Sequence, residues 1–158
     1  MELIKTTVLY NWIHGLTMNT LKPWVALLDE DEDDYIFWQH GFRSWAQHLD
    51  LHWFSSVTEF LSATSLGNDK PVALVMDGVI PNGEEMKWLS TLLLHPSCQQ
   101  ACLIMLSAEV TEAERAAYLR LGASDHLQKP MHLDELQLVV STVSSHIARK
   151  VSLPPSEL

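Results

Sequence analysis

Four positions stand out because each closes a short strand-like run, the first three of them apolar, with a reactive or charged group. Asp29-Glu30-Asp31 follows Trp24-Val25-Ala26-Leu27-Leu28, and Asp77 follows Val72-Ala73-Leu74-Val75-Met76. Ser107 follows Cys102-Leu103-Ile104-Met105-Leu106, and Lys129 follows Asp125-His126-Leu127-Gln128. Taken together these types suit a coherent chemistry. A carboxylate can act as a nucleophile and form an acyl phosphate. Attacker and incoming phosphoryl group are both negative, so a cation must bridge them. Mg2+ takes a near-octahedral shell of oxygens, from one or two carboxylates plus phosphate and water. Asp29 and Glu30 are the candidate metal ligands beside Asp77. Lys129 can neutralise phosphoryl oxygens as a compact point charge, and the Ser107 hydroxyl can donate a hydrogen bond to one. Such a set works by positioning and electrostatics.

These groups lie far apart in sequence, so only the fold can assemble them. The pattern predicts five strands, each followed by a helix. The strands are Trp24 to Leu28, Leu51 to Phe54, Val72 to Met76, Cys102 to Leu106 and Asp125 to Gln128. The helices are Asp31 to Leu49, Thr58 to Ser65, Glu84 to His95, Thr111 to Leu121 and Leu133 to Lys150. Acidic residues Asp31, Asp33 and Asp34 suit the positive end of the first helix. Ile36, Phe37, His40, Gly41, Trp45 and His48 sketch its apolar stripe. Thr58 is a candidate cap for the second helix. Thr111 with Glu114 forms a capping-box pattern, and Gly122 suits a C-terminal stop.

Near-continuous apolar strands alternating with helices imply an α/β fold, a parallel sheet covered on both faces. A doubly wound, flavodoxin-like sheet of order 2-1-3-4-5 fits five such units and carries its site at the carboxyl ends of the strands. All four candidate groups fall on that edge. Each has a plainer reading by itself: Asp77 as a turn residue, Ser107 as a cap, Lys129 as partner to any nearby acid. Asp33 and Asp34 read as a solvated helix start rather than as ligands.

The bulk numbers fit one domain of 158 residues, 47% of them hydrophobic. A net charge of -10 argues against a nucleic-acid-binding surface, which depends on clustered Lys and Arg. No apolar run is long enough to span a membrane. Cys98 and Cys102, with His95 nearby, lack the further ligands of a metal site and read as plain thiols of a reducing, cytoplasmic setting. Residues 1–22 form an N-terminal extension without the apolar core of a signal peptide. They are open to reading as a docking segment anchored by Trp12, a flexible arm, or chain upstream of a start at Met18. Residues 23–150 form the domain, and 151–158 a tail or linker.

The segment from Trp24 to Arg149 resembles the receiver domain of two-component response regulators, of the chemotaxis-regulator-like kind. The resemblance is carried by Leu28-Asp29-Glu30-Asp31, Met76-Asp77-Gly78-Val79-Ile80-Pro81, Met105-Leu106-Ser107-Ala108 and Gln128-Lys129-Pro130. The spacings of 30 positions from Asp77 to Ser107 and 22 from Ser107 to Lys129 are similar to the family's.

The resemblance implies that Asp77 accepts phosphate from a sensor histidine kinase or a phosphotransfer protein in a phosphorelay. It implies that Asp29, Glu30, Asp77 and the Val79 carbonyl hold Mg2+, that Lys129 contacts the phosphoryl group, and that Ser107 and His126 switch. The surface around Ala116 to His126 would then select a downstream protein target, and a homodimer is open. The chain would be a signalling phosphoprotein rather than an enzyme. Glu30 stands where aspartate is more common, and His126 where Tyr or Phe is usual. Two other readings stay open: a pseudo-receiver interaction module that is never phosphorylated, and a phosphohydrolase resembling the haloacid dehalogenase group, with Asp29 as its nucleophile.

Overall fold

The structure is a computed structural model and describes residues 22–78 and 83–152. Expectations for Trp12, Val79 and residues 153–158 fall outside the described residues.

Five strands form one parallel sheet of order β2-β1-β3-β4-β5, as expected from the sequence. They are β1 (Trp24–Asp29), β2 (Asp50–Phe54), β3 (Ala73–Asp77), β4 (Cys102–Ser107) and β5 (Asp125–Gln128). The helices are α1 (Glu32–Trp45), α2 (Val57–Thr64), α3 (Glu85–Leu94), α4 (Glu112–Leu121) and α5 (Leu133–Ser152). A short 3-10 turn, Pro96–Cys98, follows α3.

Strand side chains alternate between the two faces of the sheet, and this divides the core in two. Val25, Leu27, Val75, Cys102, Ile104 and Leu106 pack under α1 and α5, against Trp38, Phe42, Leu136, Val140 and Val143. Ala26, Leu28, Leu74, Met76, Leu103 and Met105 pack under α2 and α3, against Val57, Phe60, Leu89 and Leu92. Burial on both faces explains why β1, β3 and β4 read as unbroken apolar runs. Cys98 and Cys102 are free and buried, and burial raises both thiol pKa values. No helix among the described residues is long and apolar enough to cross a membrane.

Several boundaries differ from the sequence expectation. Helix α1 stops at Trp45 rather than Leu49, where Ala46 leaves helical geometry and its N–H still bonds to the Phe42 carbonyl. The buried stripe of α1 is Trp38, Gly41 and Phe42, while Ile36 is 66% exposed. The phase of the helix is set by what it packs against, which residue type alone does not fix. Helix α2 is capped by Ser56, not Thr58: the Ser56 hydroxyl accepts from the Glu59 N–H, and Glu59 reaches back to Ser55. The capping box at Thr111 and the left-handed Gly122, at φ 111°, are as expected. Helix α5 runs two residues past Lys150.

Candidate functional site

The carboxyl ends of β1, β3, β4 and β5 share one edge of the sheet. The register places Asp29 opposite Asp77, and Asp77 opposite Leu106, so Ser107 stands one residue beyond. Ser107 in turn is opposite Gln128, and the Lys129 N–H donates to the Ser107 carbonyl at 2.8 Å. Strand pairing therefore fixes where all four groups emerge.

Asp29 and Asp77 are buried, 3% and 8% exposed. Carboxylate oxygens of Asp29, Asp34 and Asp77 lie within 4.8 Å of one another. The Lys129 ammonium is 2.6 Å from Asp34 Oδ2, to which it donates, and 2.6 Å from Asp77 Oδ2. The Asp77 contact is a close ion pair. Burial alone would lower the Lys129 pKa, but its hydrogen bonds and charge contacts with Asp34 and Asp77 raise it well above the usual lysine value. The lysine is held as a cation.

Asp29 Oδ1 accepts from the Asp31 N–H at 2.9 Å, while Asp29 Oδ2 is buried and has no partner among the described residues. Desolvation pushes its pKa up to about 7; the Asp31 hydrogen bond opposes the rise, and the neighbouring Asp77 charge adds to it. An aspartate so perturbed in a carboxylate cluster is a site poised for a cation, which would favour its ionised form. Three hard oxygen donors and an orphaned carboxylate oxygen fit a small divalent ion such as Mg2+. The Trp53 indole N–H donates to the Asp29 carbonyl at 2.8 Å and braces this corner. Beside it, a hollow of about 390 Å³ is lined by Asp31, Asp34, Phe37, Trp38, Lys129, Pro130 and Met131. A larger hollow, about 480 Å³, lies between α1 and the start of β2, away from the carboxylates.

Of the residues singled out in sequence, Asp29, Asp77 and Lys129 converge. Glu30 does not: it is exposed and lies outside the carboxylate cluster, because it follows the last residue of β1 and faces solvent. Asp34 takes the third place, against its expected role as a solvated helix start; Asp33 is exposed as expected. The signal for Asp34 was present in the helix geometry. Side chains of a first helical turn tilt toward the N-terminus, here toward the strand ends, and Asp34 sits one turn after the cap residue Asp31.

Ser107 and His126 also meet. His126 is 2% exposed, with Nε2 2.8 Å from Ser107 Oγ and its ring edge-on to Tyr118 at 4.6 Å. Burial holds its pKa below the usual histidine value.

No protein-family model matches the sequence, and no curated relative does. Solved structures do match. A response regulator from Thermotoga maritima is 20% identical over 79% of this chain and 99% of its own, with a TM-score of 0.63. A response regulator in red light signalling from R. palustris is 17% identical over 84% and 98%, with a TM-score of 0.67. A response regulator from Chloroflexus aurantiacus is 22% identical over 82% and 100%, with a TM-score of 0.63. Each is matched almost end to end. The chain has the CheY-like fold of response-regulator receiver domains.

Proposed function

We propose that the chain is a phosphorylation-controlled signalling domain in which Asp77 accepts a phosphoryl group from a histidine kinase or phosphotransfer protein. The observation that carries this reading is the buried Asp77 carboxylate at a strand end, 2.6 Å from Lys129 and clustered with Asp29 and Asp34. A structural ion pair needs one acid per base. Here three acids face one lysine, an imbalance that suits a site built to take further positive charge.

Asp77 is the nucleophile: one of its carboxylate oxygens forms the new bond to phosphorus as the P–N bond to the donor histidine breaks, and the departing imidazole keeps that electron pair and takes up a proton. Asp29 and Asp34 would hold Mg2+ together with Asp77; the Val79 carbonyl, outside the described residues, is proposed from the resemblance. The ion would supply charge neutralisation between the carboxylate and the phosphoryl oxygens. Lys129 stays charged and supplies a second, fixed cation. Ser107 donates to a phosphoryl oxygen and couples the site to His126 and the surface near α4 and β5.

Exposure to acetyl phosphate with Mg2+ tests the reading by intact mass. The wild-type chain is expected to gain one phosphate and Asp77→Asn none. An unphosphorylated wild type contradicts it.

A further inference from the structure

The Ser107 Oγ to His126 Nε2 contact, at 2.8 Å, admits two arrangements. In one, Ser107 donates and the ring proton sits on Nδ1. In the other, Nε2–H donates and Ser107 keeps its own proton for another acceptor. We propose that the second holds: His126 is a positioning residue whose Nε2–H grips Ser107 Oγ and turns the serine proton toward an oxygen bound at Asp77. Only the last clause rests on the phosphoacceptor reading.

The opposite ring atom decides between them. His126 Nδ1 is buried and has no partner among the described residues. A proton there would be a buried N–H with no acceptor, and orphaned N–H groups are rarer than under-satisfied acceptors. The Nε2–H form leaves only a lone pair at Nδ1, and it is also the commoner tautomer of a free neutral imidazole. Doubly protonating the ring would bury the same orphan N–H plus a charge, in keeping with the lowered pKa. The ring is pinned as well. It stands edge-on to Tyr118, and its backbone N–H donates to Asp125 Oδ1 at 2.9 Å. A phosphoryl oxygen only accepts, so Ser107 can serve it only if His126 leaves the serine proton free. A Tyr or Phe would hold Ser107 differently: a phenyl ring offers no donor, and a phenol sits on a longer arm.

Nitrogen-15 NMR of the labelled wild-type chain at pH 7.5 reads the tautomer without any phosphorylation. The expected result is a protonated Nε2 and a bare Nδ1 at His126; a protonated Nδ1 overturns the proposal. Phosphate uptake from acetyl phosphate gives the second arm. His126→Phe fills the space without a donor and is expected to slow uptake about tenfold, as losing one hydrogen bond implies. His126→Gln restores an N–H and is expected to stay within about threefold of wild type. Equal rates in both variants overturn the positioning role. A wild type that takes up no phosphate would sink the phosphoacceptor reading, while the NMR result still decides the tautomer.

Discussion

Asp29 and Asp77 are register partners at the ends of adjacent parallel strands, and both carboxylates are buried within a cluster served by one lysine. Two buried acids that close cannot both ionise cheaply without a cation. Asp29 bears the conflict, with its pKa raised to about 7 by desolvation first and by Asp77.

That shift has a sign in the stability curve. The folded chain holds a proton on Asp29 that the unfolded chain releases near 3.8. The stabilisation is complete below 3.8 and is lost as pH rises through about 7. In metal-free buffer, Asp29→Asn is expected to raise Tm at pH 8 by roughly 2–8 °C, what about 1–2 kcal/mol yields in a domain of this size. Thermal melts from pH 5 to 8 check it. A variant no more stable than wild type at pH 8 contradicts the burial argument.

Divalent cation should do what the substitution does. Adding millimolar Mg2+ at pH 8 is expected to raise the wild-type Tm and to leave Asp29→Asn nearly unmoved. Trp53 offers a second readout, because its indole donates to the Asp29 carbonyl. Its emission should change on titration, and Trp53→Phe identifies that part of the signal. A Tm response retained in Asp29→Asn would place the ion elsewhere.

Lys129 is the fixed cation of the site. Lys129→Met is expected to cut phosphate uptake on the order of 100–1,000-fold, the usual effect of removing one preorganised electrostatic contact. Lys129→Arg is not expected to rescue it, since a flat guanidinium is no substitute for a compact ammonium reaching two carboxylates at once. Rates from phosphodonor time courses test this, and near wild-type rates in Lys129→Met would remove the lysine from the mechanism.

Away from the site, Asp125 anchors the start of β5. Its carboxylate accepts from Arg115 Nε and the His126 N–H, and pairs with His146 Nε2 at 2.9 Å. Burial would raise its pKa, but the hydrogen bonds from His146, Arg115 and the His126 backbone outweigh this and lower it. Its stabilisation is present above the unfolded value of 3.8 and is lost as pH falls below it. His146→Phe leaves Asp125 Oδ2 without its partner and is expected to cost about 1–2 kcal/mol. Acid unfolding should then begin at higher pH, as circular dichroism would register. An unchanged acid midpoint contradicts the assignment.

Gly41 marks the close approach of α1 to α5. A Cβ there would lie 2.8 Å from Leu136 Cδ2, in a side chain with no exposed surface. Gly41→Ala is expected to destabilise by about 1–3 kcal/mol from overpacking, partly offset by up to about 1 kcal/mol of helix propensity. A fall in Tm supports this, and a rise shows that α5 can move away.

The sheet was legible because three continuous apolar runs end in polar groups and alternate with helical stretches, and burial on both faces leaves no other composition for β1, β3 and β4. The convergence of Asp29, Asp77 and Lys129 followed from strand order alone. What escaped was decided by packing. Helix geometry made Asp34 eligible, but the choice of Asp34 over Glu30 depends on which way the chain turns after β1, and no pattern of residue types encodes that turn. Gly41 looks like any helix glycine until Leu136 is placed against it. His126 was visible as an unusual residue, but its bond to Ser107 required both strands in register.

The most direct measurement is the chemical location of the phosphate. After reaction with acetyl phosphate and Mg2+, hydride reduction converts an aspartyl phosphate to homoserine, and peptide mass spectrometry locates it. The expected result is homoserine at position 77. Homoserine at position 29, or none at all, would contradict it.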